Sequence, residues 1–255
     1  LLSREEFSDY CKRYRLAWRY LNHCAKDRSK TVREICTLRG YQVDRMSDIL
    51  LDVGFIYVDS SKLDLKILKS YGDDLSLLKD GKFLLDGRYI FPVMDMLGNI
   101  IALIGWYPDE RKYVTTPSKM FNKSCLFYGM EQLSKSKIGS SVILVEGIFD
   151  SISLRSLGYN SLAMMGIESS RYKEILYTLF KSILAIPDND KQGRLVVSND
   201  KWKLPLSGKY MTWNCKTYIK DIDSFINLFQ YNDVKNLIND VLKENKRIVN
   251  VEVGV

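Results

Sequence analysis

A chain of 255 residues with 46% apolar content can bury a sizeable core and is long enough for one large domain or two small ones. No apolar run approaches the roughly 18 residues of a membrane span, and the charged first twenty residues carry no signal-peptide pattern. A cytoplasmic protein with no membrane partner is therefore expected, and its net charge of +7, from 38 basic and 31 acidic residues, points toward an anionic partner.

Residues 3–26 predict a helix, with Ser3 as N-cap and Glu6 completing a capping box. Between Tyr10 and Arg33 the chain carries Lys12, Arg13, Arg15, Arg19, Lys26, Arg28, Lys30 and Arg33 against one acid, Asp27, with Tyr10, Tyr14, Trp18 and Tyr20 interleaved. Cations that hold phosphates and rings that stack on bases suit a single-stranded nucleic acid, and Arg13, Arg15 and Arg19 are the candidate contacts. The same pattern suits a helix whose aromatics pack inward and whose arginines are merely solvated. Further helices are expected over 31–38, ending at Gly40, and 44–52, ending at Gly54. Residues 88–94 and the run NIIALIGWY read as a β-hairpin turning at DMLG, with another strand over 111–114. Five cysteines (Cys11, Cys24, Cys36, Cys125, Cys215) show no paired spacing. Cys11, His23, Cys24 and Cys36 are the one candidate zinc cluster; their spacing is poor, so no zinc site is expected and the thiols read as reduced.

After about residue 138 the texture changes. SVILVE, SLAMMG, SILAIP and GKYMTWN read as apolar strands. DSISLRSLG, RYKEILYTLF, KQGRLVVSNDKW, DSFINLF and NDVKNLINDVLKEN read as helices. This alternation implies crossover units and a mainly parallel sheet. The expected architecture is α/β: a basic α+β subdomain over 1–135, a mainly parallel sheet flanked by helices over 136–227, and a C-terminal helix and tail over 228–255.

Three strands of that sheet finish in acid. Glu146 ends SVILVE, Asp188 and Asp190 follow SILAIP, and Asp221 and Asp223 follow the strand at GKYMTWN, while Asp150 lies one helical turn beyond Glu146. Ligands of open parallel sheets bind beyond the carboxyl ends of the strands. Carboxylates crowded there repel unless a cation sits among them, and all-oxygen donors favour Mg2+ or Mn2+. Helix capping alone explains Asp150 and Asp223 but not Glu146, which ends a strand. Gly147 and Gly193 allow tight turns beside the acids.

Glu146-Gly147-Ile148-Phe149-Asp150 followed by Asp188-Asn189-Asp190 with Gly193, and Gly166 between them, resembles the TOPRIM metal-binding fold. Upstream, RYIFPVMDMLGNIIALIGW and KYVTTPSKMFNKSCLFYG resemble the RNA polymerase domain of DnaG-type primases, through Arg88, Phe91, Pro92, Gly98, Gly105, Lys112, Tyr113, Pro117, Lys123, Tyr128 and Gly129. Arg39, Gly40 and Gly54 match the family's Arg-Gly helix, and Lys220-Asp221-Ile222-Asp223 its third acidic element. The resemblance covers roughly residues 30–230. Trp106 stands where family members usually carry Arg, and Thr115-Thr116 replaces an Asn-Ser pair. Neither the family's zinc ribbon nor its helicase-binding region is present, so the chain reads as an excised polymerase core or a compact phage or mobile-element enzyme.

The resemblance implies DNA primase activity: template-directed synthesis of short RNA primers on single-stranded DNA by two-metal nucleotidyl transfer. Ribonucleoside triphosphates are the implied substrates, and a replicative helicase a further partner. Two Mg2+ or Mn2+ ions would be held by Glu146, Asp150, Asp188, Asp190, Asp221 and Asp223, with Glu146, Asp188 and Asp190 catalytic. Arg39, Arg88, Lys112 and Lys123 would meet triphosphate or template phosphates. The alternatives are a TOPRIM-type metal-dependent nuclease or topoisomerase-like fragment, and a non-catalytic single-stranded nucleic-acid-binding module. No GxxxxGK[ST] loop supports an ATP-coupled nuclease.

Overall fold

The computed structural model describes residues 3–109, 112–116, 127–135, 140–165, 177–215 and 219–253. The chain divides into two compact units, Leu1–Asn122 and Lys123–Val255.

In the first unit, helix α1 (Arg4–Cys24) starts where the sequence requires: Ser3 Oγ accepts from the Glu6 N–H at 3.2 Å, and the Glu6 carboxylate accepts from the Ser3 N–H at 2.6 Å. Its inward face is Tyr10, Cys11, Tyr14, Ala17 and Leu21, all buried at helical spacing. The Tyr14 hydroxyl, wholly buried, donates to the Leu75 carbonyl at 2.8 Å and shares a 2.8 Å bond with Thr116. Helix α2 (Arg28–Arg39) begins three residues earlier than its apolar pattern indicated, because Asp27 caps the Lys30 N–H at 2.8 Å. It ends at Gly40 (φ 69°), and α3 (Val43–Val53) ends at Gly54 (φ 88°), the left-handed positions that stop a helix.

Strands β1 (Ile56–Tyr57), β4 (Tyr89–Met94), β5 (Ile100–Tyr107) and β6 (Lys112–Thr115) form an antiparallel sheet in the order β1-β4-β5-β6. The β4–β5 hairpin turns on Asp95, whose carboxylate accepts from the N–H groups of Leu97 (2.8 Å) and Asn99 (2.9 Å). Helix α4 (Leu65–Ser70) and the two-residue pair β2 (Leu78–Lys79) and β3 (Lys82–Phe83) lie between β1 and β4. These pieces are too short to show a hydrophobic period, which is why the sequence does not announce them.

The second unit is the expected α/β layer. Strands β7 (Ser141–Val145), β8 (Ser161–Ala163), β9 (Ser182–Ile186), β10 (Lys209–Cys215) and β11 (Ile248–Val253) form one parallel sheet in the order β11-β10-β9-β7-β8. Helix α5 (Ile148–Ser156) joins β7 to β8, α6 (Lys191–Ser198) follows β9, and α7 (Ile222–Leu228) and α8 (Tyr231–Lys243) precede β11. Both faces are covered. Trp202, just after α6, packs on Tyr210 with ring centroids 6.5 Å apart, and Phe225 of α7 stacks on Trp213 of the alternate face at 5.8 Å.

One expectation is corrected. The segment read as a C-terminal tail is β11, paired in parallel with β10 from Tyr210–Ile248 to Cys215–Val253. The signal was present as the alternation Val249, Val251, Val253, which lets one side of an edge strand face the core. Of the expected helix RYKEILYTLF, residues 171–176 lie outside the described residues and 177–179 are helical; Gly166 also lies outside.

Candidate active site

The chain leaves β7, crosses through α5 to β8, and returns to β9 on the other side of β7. Beyond β9 it winds the opposite way, to β10. The connections therefore diverge between β7 and β9, and the carboxyl ends of strands at such a reversal are where open parallel sheets bind their ligands. Glu146 is the first residue beyond β7, and Asp188 the second beyond β9. The Asp188 N–H donates to the Glu146 carboxylate at 3.2 Å, so the Glu146 side chain lies against the backbone that presents Asp188. Burial, then the charge of Asp188, pushes the Glu146 carboxyl up to about 7. Burial also raises Asp188, opposed by the Lys220 ammonium 3.1 Å from its carboxylate.

Asp190 caps α6, its carboxylate accepting from the N–H groups of Gln192 (2.8 Å) and Gly193 (2.9 Å). The turn depends on Gly193: a Cβ there would fall on the Asp188 carbonyl oxygen and 2.8 Å from its carbonyl carbon. The β10–α7 loop is stapled to this turn through its backbone. The Asn189 N–H donates to the Lys220 carbonyl (2.5 Å), its side-chain amide donates to the Ile219 carbonyl (3.2 Å), and the Trp213 indole donates to the same Ile219 oxygen (3.1 Å). Asp221 caps α7 through the Ser224 N–H at 2.8 Å.

Asp150 and Asp223 lie inside. Asp150 is 6% exposed and links two helix starts: it accepts from the Gly147 N–H at 3.1 Å and from the Asp223 N–H at 3.0 Å. Burial, then the charges of Asp221, Asp223 and Asp188, drives its carboxyl well up. Asp223 is 2% exposed and accepts from the Ser153 hydroxyl, a partner the sequence does not advertise. The acids thus divide into Glu146, Asp188, Asp190 and Asp221 at the sheet edge, and a buried pair behind them.

The donor chemistry fits a hard divalent cation: oxygen alone, with the Glu146 carboxylate against the Asp188 backbone and burial disfavouring the charged forms of both acids. Among the described residues, no three His, Cys, Asp or Glu side chains are already drawn into a metal-binding group. Asp188 faces Lys220 instead.

In the first unit, Arg88 lays its aliphatic stem over Gly105, where a Cβ would meet Arg88 Cδ at 2.7 Å. Its guanidinium is 5.6 Å from the Tyr107 ring, and its Nη1 is buried without a hydrogen-bond partner among the described residues. Arg39 ends α2 beside the Tyr41 ring, at 5.9 Å. Lys112 opens β6, and Lys123 lies outside the described residues. Trp106 is 2% exposed, in register with Tyr89 and Tyr113, and its ring is 5.6 Å from that of Tyr89. That position serves sheet packing. On α1, Arg13 bonds to Asp9 (2.7 Å), Asp74 (2.9 Å) and the Tyr71 carbonyl (3.0 Å), whereas Arg15 and Arg19 are exposed.

A Toprim-like family model matches residues 143–226, which span β7 to α7 and all the acids above. A DNA primase of Clostridium acetobutylicum is 35% identical over 112 residues, covering 42% of this chain and 19% of that protein. A DNA primase of Legionella pneumophila is 33% identical over 114 residues, covering 42% of this chain and 20% of that protein. The matched segment is thus about a fifth of the length of these curated relatives. Among solved structures, the zinc-binding and RNA polymerase domains of Aquifex aeolicus primase align with a TM-score of 0.71 at 23% identity, over 94% of this chain and 62% of that one. The RNA polymerase domain of Mycobacterium tuberculosis primase DnaG aligns with a TM-score of 0.70 at 17% identity, over 94% of this chain and 83% of that one. The chain therefore carries a Toprim-like domain within the fold of a DnaG-type primase RNA polymerase domain.

Proposed function

We propose that this chain is the catalytic core of a DNA primase, making short RNA primers on single-stranded DNA from ribonucleoside triphosphates. The observation that carries the reading is the bond from the Asp188 backbone N–H to the Glu146 carboxylate, which brings the two acidic loops together at the strand-order reversal of a Toprim-like sheet. A similar fold, the DnaG primase catalytic domain, has been solved bound to single-stranded DNA.

In this reading Glu146, Asp188, Asp190 and Asp221 hold Mg2+ or Mn2+, one or two ions, which would supply charge stabilisation to phosphoryl oxygens. Asp150 and Asp223 act through others: Asp150 accepts from the Gly147 N–H and so fixes the turn after Glu146, and its bond to the Asp223 N–H ties α5 to α7. Glu146, whose carboxyl is pushed up to about 7 in the metal-free chain, would take a proton from an attacking hydroxyl if it stood outside the metal shell instead of completing it. Arg88, Arg39, Lys112 and Lys123 supply cations for triphosphate or template phosphates. The Nη1 of Arg88, buried and without an acceptor among the described residues, supports this, since such a guanidinium N–H favours an anionic ligand. Arg15 and Arg19 supply diffuse attraction for the template backbone.

The test is primer synthesis on single-stranded DNA with labelled ribonucleotides and either metal. The wild type should yield short RNA, and Asp188→Asn with Asp190→Asn should yield none while remaining folded by circular dichroism. Cleavage of a labelled DNA strand with no RNA product would sink the primase reading in favour of a Toprim-type nuclease.

A further inference from the structure

Lys220 stands among the acids, yet neither the capping pattern nor the proposed chemistry uses its side chain. It sits directly before Asp221, and its ammonium lies 3.1 Å from Asp188. Its main chain is already engaged elsewhere, because its carbonyl accepts from the Asn189 N–H at 2.5 Å and so ties the two acidic loops together. Loop attachment therefore does not depend on the side chain. The side chain itself is 51% exposed, against 14% for Asp188, so the ammonium reaches the acid from the solvent side and can swing away without opening the core. A half-exposed ion pair of this kind is weak and readily exchanged.

An ammonium and a divalent cation repel at a few ångströms, so each weakens the other's hold on a shared carboxylate. We propose that Lys220 is a built-in counter-cation: it neutralises Asp188 in the metal-free chain and yields that carboxylate to the divalent ion, thereby setting the ion concentration at which the site loads. The inference rests on the metal reading of the acids.

The test is titration of the whole chain with MnCl2 alone, followed by calorimetry and by thermal melting, with EDTA as the zero point. Lys220→Gln should bind Mn2+ about tenfold more tightly than the wild type, the scale of removing one unit charge beside the ion. In EDTA it should melt lower, because Asp188 then has no counter-charge. Lys220→Arg, which keeps the charge, should stay within about threefold of the wild type in affinity, since the charge term of Coulomb's law is unchanged. Lys220→Met repeats the charge loss with a different side chain, in case glutamine disturbs the loop. Equal or weaker Mn2+ binding by the neutral variants overturns the inference and leaves the metal reading intact. So does an arginine variant that behaves like glutamine. Absence of Mn2+ binding by the wild type and all variants alike refutes the metal reading itself, and the inference with it.

Discussion

Replacing Gly193 by alanine should damage stability and catalysis together, because one methyl group would be driven into the backbone that presents Asp188. The added Cβ would fall on the Asp188 carbonyl oxygen and lie 2.8 Å from its carbonyl carbon. Restoring an ordinary 3.4 Å contact to the carbon alone needs a shift of about 0.6 Å, and clearing the oxygen needs more. The atoms nearest this position are all main chain of Asp188, so no flexible side chain can give way. Either α6 slides outward, losing the Asp190 cap bonds to Gln192 and Gly193, or the Asp188 turn is displaced. Overpacking of this kind costs ~1–3 kcal/mol, and for a chain of this size each 1 kcal/mol lowers the melting temperature by about 2–4 °C. A catalytic group moved by about 1 Å loses on the order of 100-fold in rate. Urea unfolding should therefore show the stability loss, and the proposed primer synthesis, measured well below the melting midpoint, should fall about 100-fold by the same misplacement argument. Gln192→Ala, at the exposed neighbouring position, should change neither, since only its backbone N–H is used. A Gly193→Ala chain with wild-type stability and rate would show that the turn is not built as described.

Other measurements probe different parts of the molecule. Glu146 has a carboxyl raised to about 7 from an ordinary 4.5, so its contribution to metal-free stability is full below pH 4.5 and is lost as pH rises through 7. Melts in EDTA across pH 5–8 should show that decline, and Glu146→Gln should flatten it; an unchanged slope would place the titrating group elsewhere. Tyr14→Phe should cost ~1–3 kcal/mol in urea unfolding, because the Leu75 carbonyl and Thr116 hydroxyl lose a fully buried partner. Arg15→Gln with Arg19→Gln should reduce the salt dependence of single-stranded DNA binding by about 0.7 in log–log slope for each phosphate that is no longer neutralised. Arg13→Gln should instead lower stability, since its guanidinium already bonds Asp9, Asp74 and Tyr71; the same slope change for all three arginines would contradict that division.

Much of the architecture was legible in the sequence because its signals are local. The capping box at Ser3 and Glu6, the stop at Gly40, the hairpin around Asp95 and the alternation of apolar strands with helices after residue 138 depend on residues a few positions apart, and each element forms where those residues require. The placement of acids at strand ends was legible for the same reason. Which strand neighbours which was not: the pairing of β9 on the far side of β7, which puts Glu146 against the Asp188 backbone, joins segments some forty residues apart. Nor could spacing distinguish the edge acids from Asp150 and Asp223, because a carboxylate that caps a buried helix start and one that faces a crevice are the same residue type at similar offsets. Arg13 and Arg15 differ likewise only in what lies opposite them, Asp74 in one case and solvent in the other. Trp106 is settled by its cross-strand neighbour Tyr89, and Lys220 by the carboxylate it meets across two loops. Local propensity and period follow from the covalent chain, whereas burial, ion pairing and the effective charge of an acid depend on groups distant in sequence, and only the folded arrangement brings those together.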